Sequence, residues 1–477
     1  MSEKKTTRDF SSILDGSKTI AALDKEYLSR FSINRRRVKN ALDSKDVPQL
    51  REISQYFYHT SGAYRRLVDY YGTLLTFDYL LFPMVEEEKL SEESFKNTYQ
   101  RKKEYVRNSN IKETSSEMSK LIVRDGAYYG YERDLNGKIS FQPLPAKFCR
   151  SRFKVMGVYT VEFNYEFFRN FVGDELKEIV EAFPEEMQAG FLKYLKDPRN
   201  EQWQLLSPEY ARGHMLSDEI PLLSSIFLDL MDYEDAKELE KVRNGLEIYK
   251  VIVQKIPLDK ENNLTFELPE LKQFHTNLRK AVSNNNIDVI TTPCDVEAVD
   301  LKDKVETMKD NVERARNTIY STAGTSSILF TSASKGSSIG LEESIRVDEN
   351  LMLPLLQQFE RWYDQKLDYK NKRYKFKIMF PPITNRNREE MVQMYMSAAS
   401  SGYPTKLLAL CAMGIDQESS DYLLNFENVF LKLNEKMVPT KSAHTTPGGG
   451  DNETGAPEKD DDDLSDEGLR TREKDGG

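Results

Sequence analysis

Tyr320-Ser-Thr-Ala-Gly-Thr-Ser-Ser-Ile-Leu-Phe-Thr-Ser-Ala-Ser-Lys-Gly-Ser-Ser-Ile-Gly-Leu-Glu-Glu-Ser-Ile345 is the stretch that decides the fold. Ahead of it, Val305, Met308, Val312, Ala315 and Ile319 step by three and four residues, an a/d stripe over two heptads. From Gly324 to Gly340 that period stops, and 11 of the 17 residues are Ser, Thr or Gly. Gly has the most backbone freedom to lose and Ser competes for backbone hydrogen bonds, so the composition predicts a loop. Ile328, Leu329 and Phe330 are its expected anchor, leaving Thr331–Ser338 with one charge, Lys335. A second helix is expected from about Leu341 to Lys366. Pro354 inside it removes an amide donor and clashes with the preceding turn, which predicts a kink.

Working outward, 477 residues with 39% hydrophobic and 31% charged side chains fit two to four domains or one large elongated subunit with a modest core. Cys149, Cys294 and Cys411 are scattered and odd in number, which argues against a disulfide framework and for a reducing compartment. No apolar run follows Met1, so no signal peptide is expected. The most apolar window, Ile220–Met231, is too short for a bilayer and contains Asp229. The net charge of −10 is concentrated at one end: residues 451–477 hold 11 acidic and 4 basic side chains, −7, leaving −3 for the rest. A body so nearly balanced gives no electrostatic argument for gripping nucleic acid.

Residues 1–40 are polar, with a helical candidate at Ala21–Phe31 and the basic run Arg35–Arg37, read as a solvated face in preference to a nucleic-acid contact. Val47–Phe82 reads as two helices, the second from Tyr64 to about Phe77; their tyrosines read as core and subunit contacts rather than a stacking surface. A charged amphipathic segment covers 85–118. Strands are expected at Ile122–Tyr131 and Ile139–Phe141 around the turn Asp134–Gly137, and again at Phe153–Phe163. A long charged helix, capped by Ser217 or Asp218, is expected from Ser217 to Tyr249. Between it and the a/d helix sits a small insert: strands at Val251–Ile256, Ile287–Thr291 and Val296–Val299 with a helix at Leu268–Val282. Downstream come a strand at Tyr374–Phe380, helices at Arg388–Ser400, Pro404–Met413 and Gln417–Lys432, and an acidic tail expected to be disordered.

Catalytic patterns fail on inspection. A P-loop needs glycine and then Lys-Ser/Thr opening a helix, whereas Lys335 precedes Gly336. Ser332-Ala-Ser-Lys335 spells S-x-x-K without its S-D-N and K-T-G partners. His59, His214, His275 and His444 share no helical spacing, so neither H-E-x-x-H nor a Cys/His zinc pattern exists. No enzyme, cofactor or metal is expected.

The serial order, however, resembles one family: the portal proteins of tailed double-stranded DNA bacteriophages. The resemblance covers most of residues 45–435. It is carried by Ser54-Gln-Tyr-Phe-Tyr58 with Tyr64-Arg-Arg-Leu67, by Asp125-Gly-Ala-Tyr-Tyr-Gly-Tyr131 ahead of Leu144-Pro145, and by the order helix, small insert, helix, Ser/Gly loop, kinked helix, helical C-terminal set. It implies an α+β, elongated subunit that assembles into a ring. In that frame 1–44 is an N-terminal arm, 45–216 the first part of the wing, 217–250 and 302–322 the stem and 251–301 the α/β clip. The tunnel loop is 323–340, the kinked helix and rest of the wing 341–383, the crown 384–435 and the acidic tail 436–477. It implies Ser332, Ser334, Lys335, Ser337 and Ser338 as loop residues facing DNA, the 305–319 stripe as packing against neighbouring stem helices, and Pro354 as the kink. The implied partners are further copies (twelve in the family's usual ring), the double-stranded DNA in transit, major capsid and scaffolding proteins, the terminase large subunit and a head–tail adaptor, with no membrane. The implied place is a capsid vertex of the virion, after assembly in the host cytoplasm. Sliding agrees with the composition, because each phosphate contact adds affinity and salt dependence. The competing reading is a non-phage, self-associating helical scaffold without a channel.

Overall fold

The computed structural model describes residues 33–433 except 136, 217, 249, 256–264, 283–286, 293–305, 331–337 and 369–372. The expectations for Ala21–Phe31, Val296–Val299, Ser332–Ser337 and the acidic tail therefore lie outside the described residues. What is described is a mixed helix-and-sheet, α+β chain in two units, Met1–Ser420 and Asp421–Gly477.

Three helices open it: α1 (Arg35–Ser44), α2 (Val47–Thr60) and α3 (Gly62–Gly72). Asp46 caps α2 by accepting the Gln49 amide at 3.2 Å, with Pro48 in the first turn where its missing N–H costs nothing. The expected aromatic face is core: Phe57, Tyr64 and Tyr71 are buried and meet helix faces rather than solvent. The Arg35–Arg37 run is largely spoken for, Arg35 by Asp232 and Arg37 by Glu52 at 3.1 Å.

After β1 (Leu80–Pro83), α4 (Glu93–Asn108) and α5 (Ile111–Asp125) lead into an antiparallel region. Here a strand was expected from Ile122, but the helix runs on to Asp125. Gly126 ends it at φ 81, in a space where a Cβ would collide with the Glu219 carbonyl. The strands are β2 (Ala127–Leu135), β3 (Lys138–Pro143), β4 (Cys149–Arg150), β5 (Lys154–Val155), β6 (Val158–Tyr159) and β7 (Glu162–Asn164). Helices α6 (Gly173–Ala182) and α7 (Glu185–Lys196) follow, then β8 (Trp203–Leu205) and β9 (Ala211–Met215). The larger sheet has the order β3-β2-β9-β6-β5 and the smaller β4-β7-β8. Phe163, Phe167, Phe168 and Phe183 form an aromatic core beside them, separate from the core of α2, α3 and α5.

The first long helix, α8, is Phe227–Ile248, ten residues shorter at its start than its sequence implied. The intervening chain makes other bonds: Glu219 sits at φ 59, Leu222 donates its amide to Val123, and Arg51 donates to both the carbonyl and carboxylate of Glu219. Its length is thus about 33 Å at ~1.5 Å per residue. Then come β10 (Lys250–Lys255), α9 (Leu268–Val282) and β11 (Ile287–Thr292), the expected order of elements, with the two strands paired in parallel. The second long helix, α10 (Glu306–Ala323), packs on α8.

The expected kinked helix is two helices, α11 (Ser338–Met352) and α12 (Pro354–Asp368), joined by Leu353. Proline cannot donate to the turn before it, so the first helix stops and Pro354 begins a new one at the position where it is tolerated. Strand β12 (Phe376–Met379) pairs antiparallel with β1. Helices α13 (Arg388–Ser400) and α14 (Lys406–Ala412) follow, then α15 (Gln417–Asn425), within which the first unit ends at Ser420, and a π-helical turn at Phe426–Phe430 replaces the continuous helix expected to Lys432.

Two ladders fix α12. On one face Glu360, Asp364 and Asp368 accept the amides of Phe380, Ile378 and Phe376 at 2.8, 2.8 and 3.1 Å. On another, Gln358 exchanges two bonds with the Met215 backbone, Trp362 donates to the Ala211 carbonyl at 3.2 Å and Lys366 to that of Glu209 at 3.0 Å. In the first ladder the spacing is commensurate, since four helical residues rise ~6.0 Å and two strand residues ~6.7 Å.

Candidate functional site: the anchorage of the serine- and glycine-rich loop

The loop connects α10 to α11, and the described residues at both its ends meet α3. The end of α10 brings Ile319 and Tyr320 into the main core, where they are 0% and 5% exposed. A short 3-10 turn at Ser327–Leu329 then places Phe330 flat on Tyr320, with ring centroids 5.0 Å apart and planes 3° apart. Tyr70 of α3 meets the same ring edge-on at 5.5 Å, and the Arg66 guanidinium lies 5.5 Å from its centroid. Offset stacks, edge contacts and cation–π contacts of this kind each contribute ~0.5–1.5 kcal/mol.

From the other side, α11 contributes Asp348, which is 3% exposed. Its carboxylate accepts the hydroxyls of Tyr70 and Tyr71 at 2.9 Å each and of Thr325 at 3.2 Å. One buried acid thus joins the helix after the loop, the chain before it and α3. Burial pushes the Asp348 carboxyl above its usual range, opposed by the three hydroxyl bonds, which favour the charged form. Burial and the Asp348 charge raise both tyrosines well above theirs. Both hydroxyls therefore remain donors at neutral pH.

The sequence-derived residues separate clearly. Ser332, Ser334, Lys335 and Ser337 lie outside the described residues; Ser338 is the first residue of α11, so the loop is shorter than expected. Of the a/d stripe, Val305 lies outside and Met308 lies in α10. Val312 and Ala315 are half-buried and Ile319 buried, on the helix face opposite the exposed Glu313, Arg314, Asn317 and Thr318. Ile319 is buried in the main core of this chain, together with Phe227 and Leu230 of α8. The residues left outward are on α8, where Leu239 is 60% and Val242 57% exposed, and on α11, where Val347 is 65% and Leu351 45% exposed.

Sequence reasoning missed Asp348, Thr325 and the pairing of Tyr70 with Tyr71 as one unit. Nothing local marks them, since Asp348 and its tyrosine partners are 277 and 278 positions apart. A second buried polar centre was also missed. Arg212 on β9 is fully buried, its guanidinium 4.1 Å from the Trp362 centroid and 4.8 Å from that of Phe141, donating to His214 Nε2 at 3.1 Å and Tyr363 Oη at 3.3 Å. Beside it Glu132 accepts from Tyr105 and Lys366 at 2.7 and 2.8 Å. Burial first, then the Arg212 charge, holds His214 well below the ordinary histidine range. Among the described residues no group of three His, Cys, Asp or Glu side chains gathers as a metal site would require, and no helix is long and apolar enough to cross a membrane. No protein-family model and no curated protein matches this chain.

Proposed function

We propose that this chain is the subunit of a ring-shaped portal, the channel at one vertex of a tailed-phage capsid through which double-stranded DNA is packaged and ejected. The observation that carries the reading is the arrangement around the loop. Two long helices pack together, a β-α-β unit sits between them in sequence, a small-residue loop follows, and Leu239 and Val242 of the first helix stay exposed. Apolar residues exposed at helical spacing on a charged helix favour a partner copy, and a closed ring supplies one to every subunit without leaving an open end.

The remaining parts take their roles from this frame. The stem is α8 with α10, the clip is β10-α9-β11, and the crown is built from α13 to α15. Ser332, Ser334, Lys335, Ser337 and Ser338 face the channel. Small polar groups with one cation let DNA slide, because few phosphate contacts form. The partners are copies of this chain, DNA, capsid and scaffolding proteins, the terminase large subunit and a head–tail adaptor. Negative-stain microscopy of the purified full-length protein tests the reading. Closed rings with a central hole, twelvefold in projection, are expected; solid rods would replace the reading with the self-associating helical scaffold, and a monodisperse monomer at micromolar concentration would overturn both.

A further inference from the structure

A groove of about 450 Å³ lies beside β2 and the end of β3, between the two hydrophobic cores of the main unit. Leu144, Phe148, Phe167 and Phe171 form its apolar wall with Leu121 opposite, and Phe148 and Leu121 are only half-buried. Among the described residues, none of its lining belongs to β9, β6 or β5. At the other edge of the same five-stranded sheet, four strand spacings or roughly 19 Å from β3, the β5–β6 hairpin carries an apolar projection. Phe153 is 48%, Val155 41% and Met156 83% exposed. The turn is Met156-Gly157, closed by the Val155–Val158 pair, with φ 53 and 81. Two positive φ angles in a row make the tight hairpin turn that Asn-Gly or Gly-Gly fills without strain. A bulky methionine is an outlier there, and at 83% exposure it packs against little of its own chain to offset the cost. Strain kept without a local return points to a contact outside the chain.

We propose that the Met156 hairpin of one copy of this chain seats in the groove of the next, so that opposite edges of the sheet form one subunit contact. The first argument is position. The hairpin is paired to β9 and its tip lies against α12, where a Cβ on Gly157 would meet the Arg361 side chain at 2.8 Å, so it does not fold back across the sheet to its own groove. A projection at one edge and a socket at the other pair head to tail, and such a contact repeats until it closes as a ring or runs on as a filament. The second argument is chemistry. Methionine is unbranched, adapts to irregular apolar gaps and makes favourable sulfur–aromatic contacts, and three of the wall residues are phenylalanines. The charge nearest the tip is turned aside: Lys154 lies over its own Tyr159 ring at 4.2 Å, which leaves the end of the hairpin apolar. An exposed apolar cluster of this kind marks an interaction site. The inference rests on the portal reading only for closure into a ring.

The test is proximity between copies of the full-length protein in a Cys294→Ser background, where Cys149 and Cys411 are buried. Met156→Cys is combined with Asn170→Cys, an exposed residue lining the groove, or with Leu192→Cys, exposed on α7 and outside it. A short bis-maleimide is added, and the products are read on denaturing gels and by mass spectrometry. Co-expressed single variants at 156 and 170 should give linked dimers, neither variant alone should link, and the double variant should give a ladder of multimers. The pairing with Leu192→Cys should link roughly tenfold less, because seating raises the local concentration at one place only. Met156→Asn supplies the residue the turn prefers, so it should melt no lower than the parent. It should nevertheless assemble roughly ten- to hundredfold more weakly in analytical ultracentrifugation, the value of burying one methionine side chain. Linking by Met156→Cys alone, links only within one chain, equal linking to 170 and 192, a parent that stays monomeric, or parental assembly by Met156→Asn would each overturn the proposal. Rings that lack the 156–170 link would overturn it and leave the portal reading standing; the link in dimers or filaments without rings would uphold it and remove the portal reading.

Discussion

Removing the Asp348 carboxylate should release both described ends of the loop at once. In Asp348→Ala the Tyr71 and Thr325 hydroxyls, in residues 2% and 5% exposed, lose the carboxylate, and Tyr71 keeps only the Ala323 carbonyl at 3.4 Å. Leaving a buried donor unsatisfied costs ~1–3 kcal/mol each, and relief of a desolvated carboxylate returns part of that, so the net loss is about 2–3 kcal/mol. The loss is local, because Ile319, Tyr320 and Phe330 are held to α3 by the main core and by stacking. Native-state hydrogen exchange reads it directly. The amides of Thr325, Leu329 and Phe330, which bond to Tyr320, Ser326 and Ser327, should exchange roughly 30- to 150-fold faster, at ~1.4 kcal/mol per factor of ten. Tyr71→Phe alone should cost about 1–1.5 kcal/mol, and close to nothing once Asp348 is gone, the signature of one shared network. Unchanged exchange at 325–330 in Asp348→Ala, or additive effects of the two substitutions, would refute the reasoning.

Other outcomes follow from the same structure. Leu239→Asp should leave the monomer as stable as the parent, since the side chain is exposed, yet abolish rings in analytical ultracentrifugation; intact rings would remove α8 from the subunit interface. Lys335→Ala should keep folding and assembly and reduce DNA retention, with the difference shrinking as salt rises; equal retention across a salt series would leave it an ordinary lysine. His214 is held neutral when folded and titrates near 6.5 when unfolded, so its contribution is complete above pH 6.5 and declines below it. Denaturant unfolding should therefore lose up to ~1.4 kcal/mol per pH unit below 6.5, a slope that His214→Gln flattens.

Much of the order of elements was legible in the sequence, because period and punctuation act locally. The 3.6-residue stripe of α10, the strand-helix-strand order at 250–292 and the hairpin around Gly137 all follow from neighbours in sequence. Boundaries failed where a distant partner took the backbone. Pro221 and a charged apolar run read as a helix start, but Arg51 and Val123 hold that chain in turns until Phe227. The site was legible only as a loop. A carboxylate on a charged helix looks solvent-facing until two tyrosines from another helix are brought to it, and no spacing rule reaches across 277 residues. The a/d stripe was readable as a packing face, but which helix would cover Ile319 was not.

The paired ladders on α12 carry a mechanical consequence. Rungs at every fourth residue engage the backbone of Glu209–Met215 on one side and of Phe376–Phe380 on the other, so turning the helix about its axis would break six side-chain attachments together, and sliding it by one residue would misalign both sets. Burial already pushes the Asp364 carboxyl up to about 6, and its rung persists because the Ile378 amide has no strand beyond it to turn to. The helix therefore behaves as an axle keyed at both ends. α11 has no ladder of this kind; it is held by Asp348 to α3 and Thr325 and by Glu349 to Thr384, and it meets the axle at Leu353 before a proline that cannot extend the turn. Torque applied to α11 from the loop side is borne by those two carboxylates and the Leu353 joint, while the strands behind α12 stay in register.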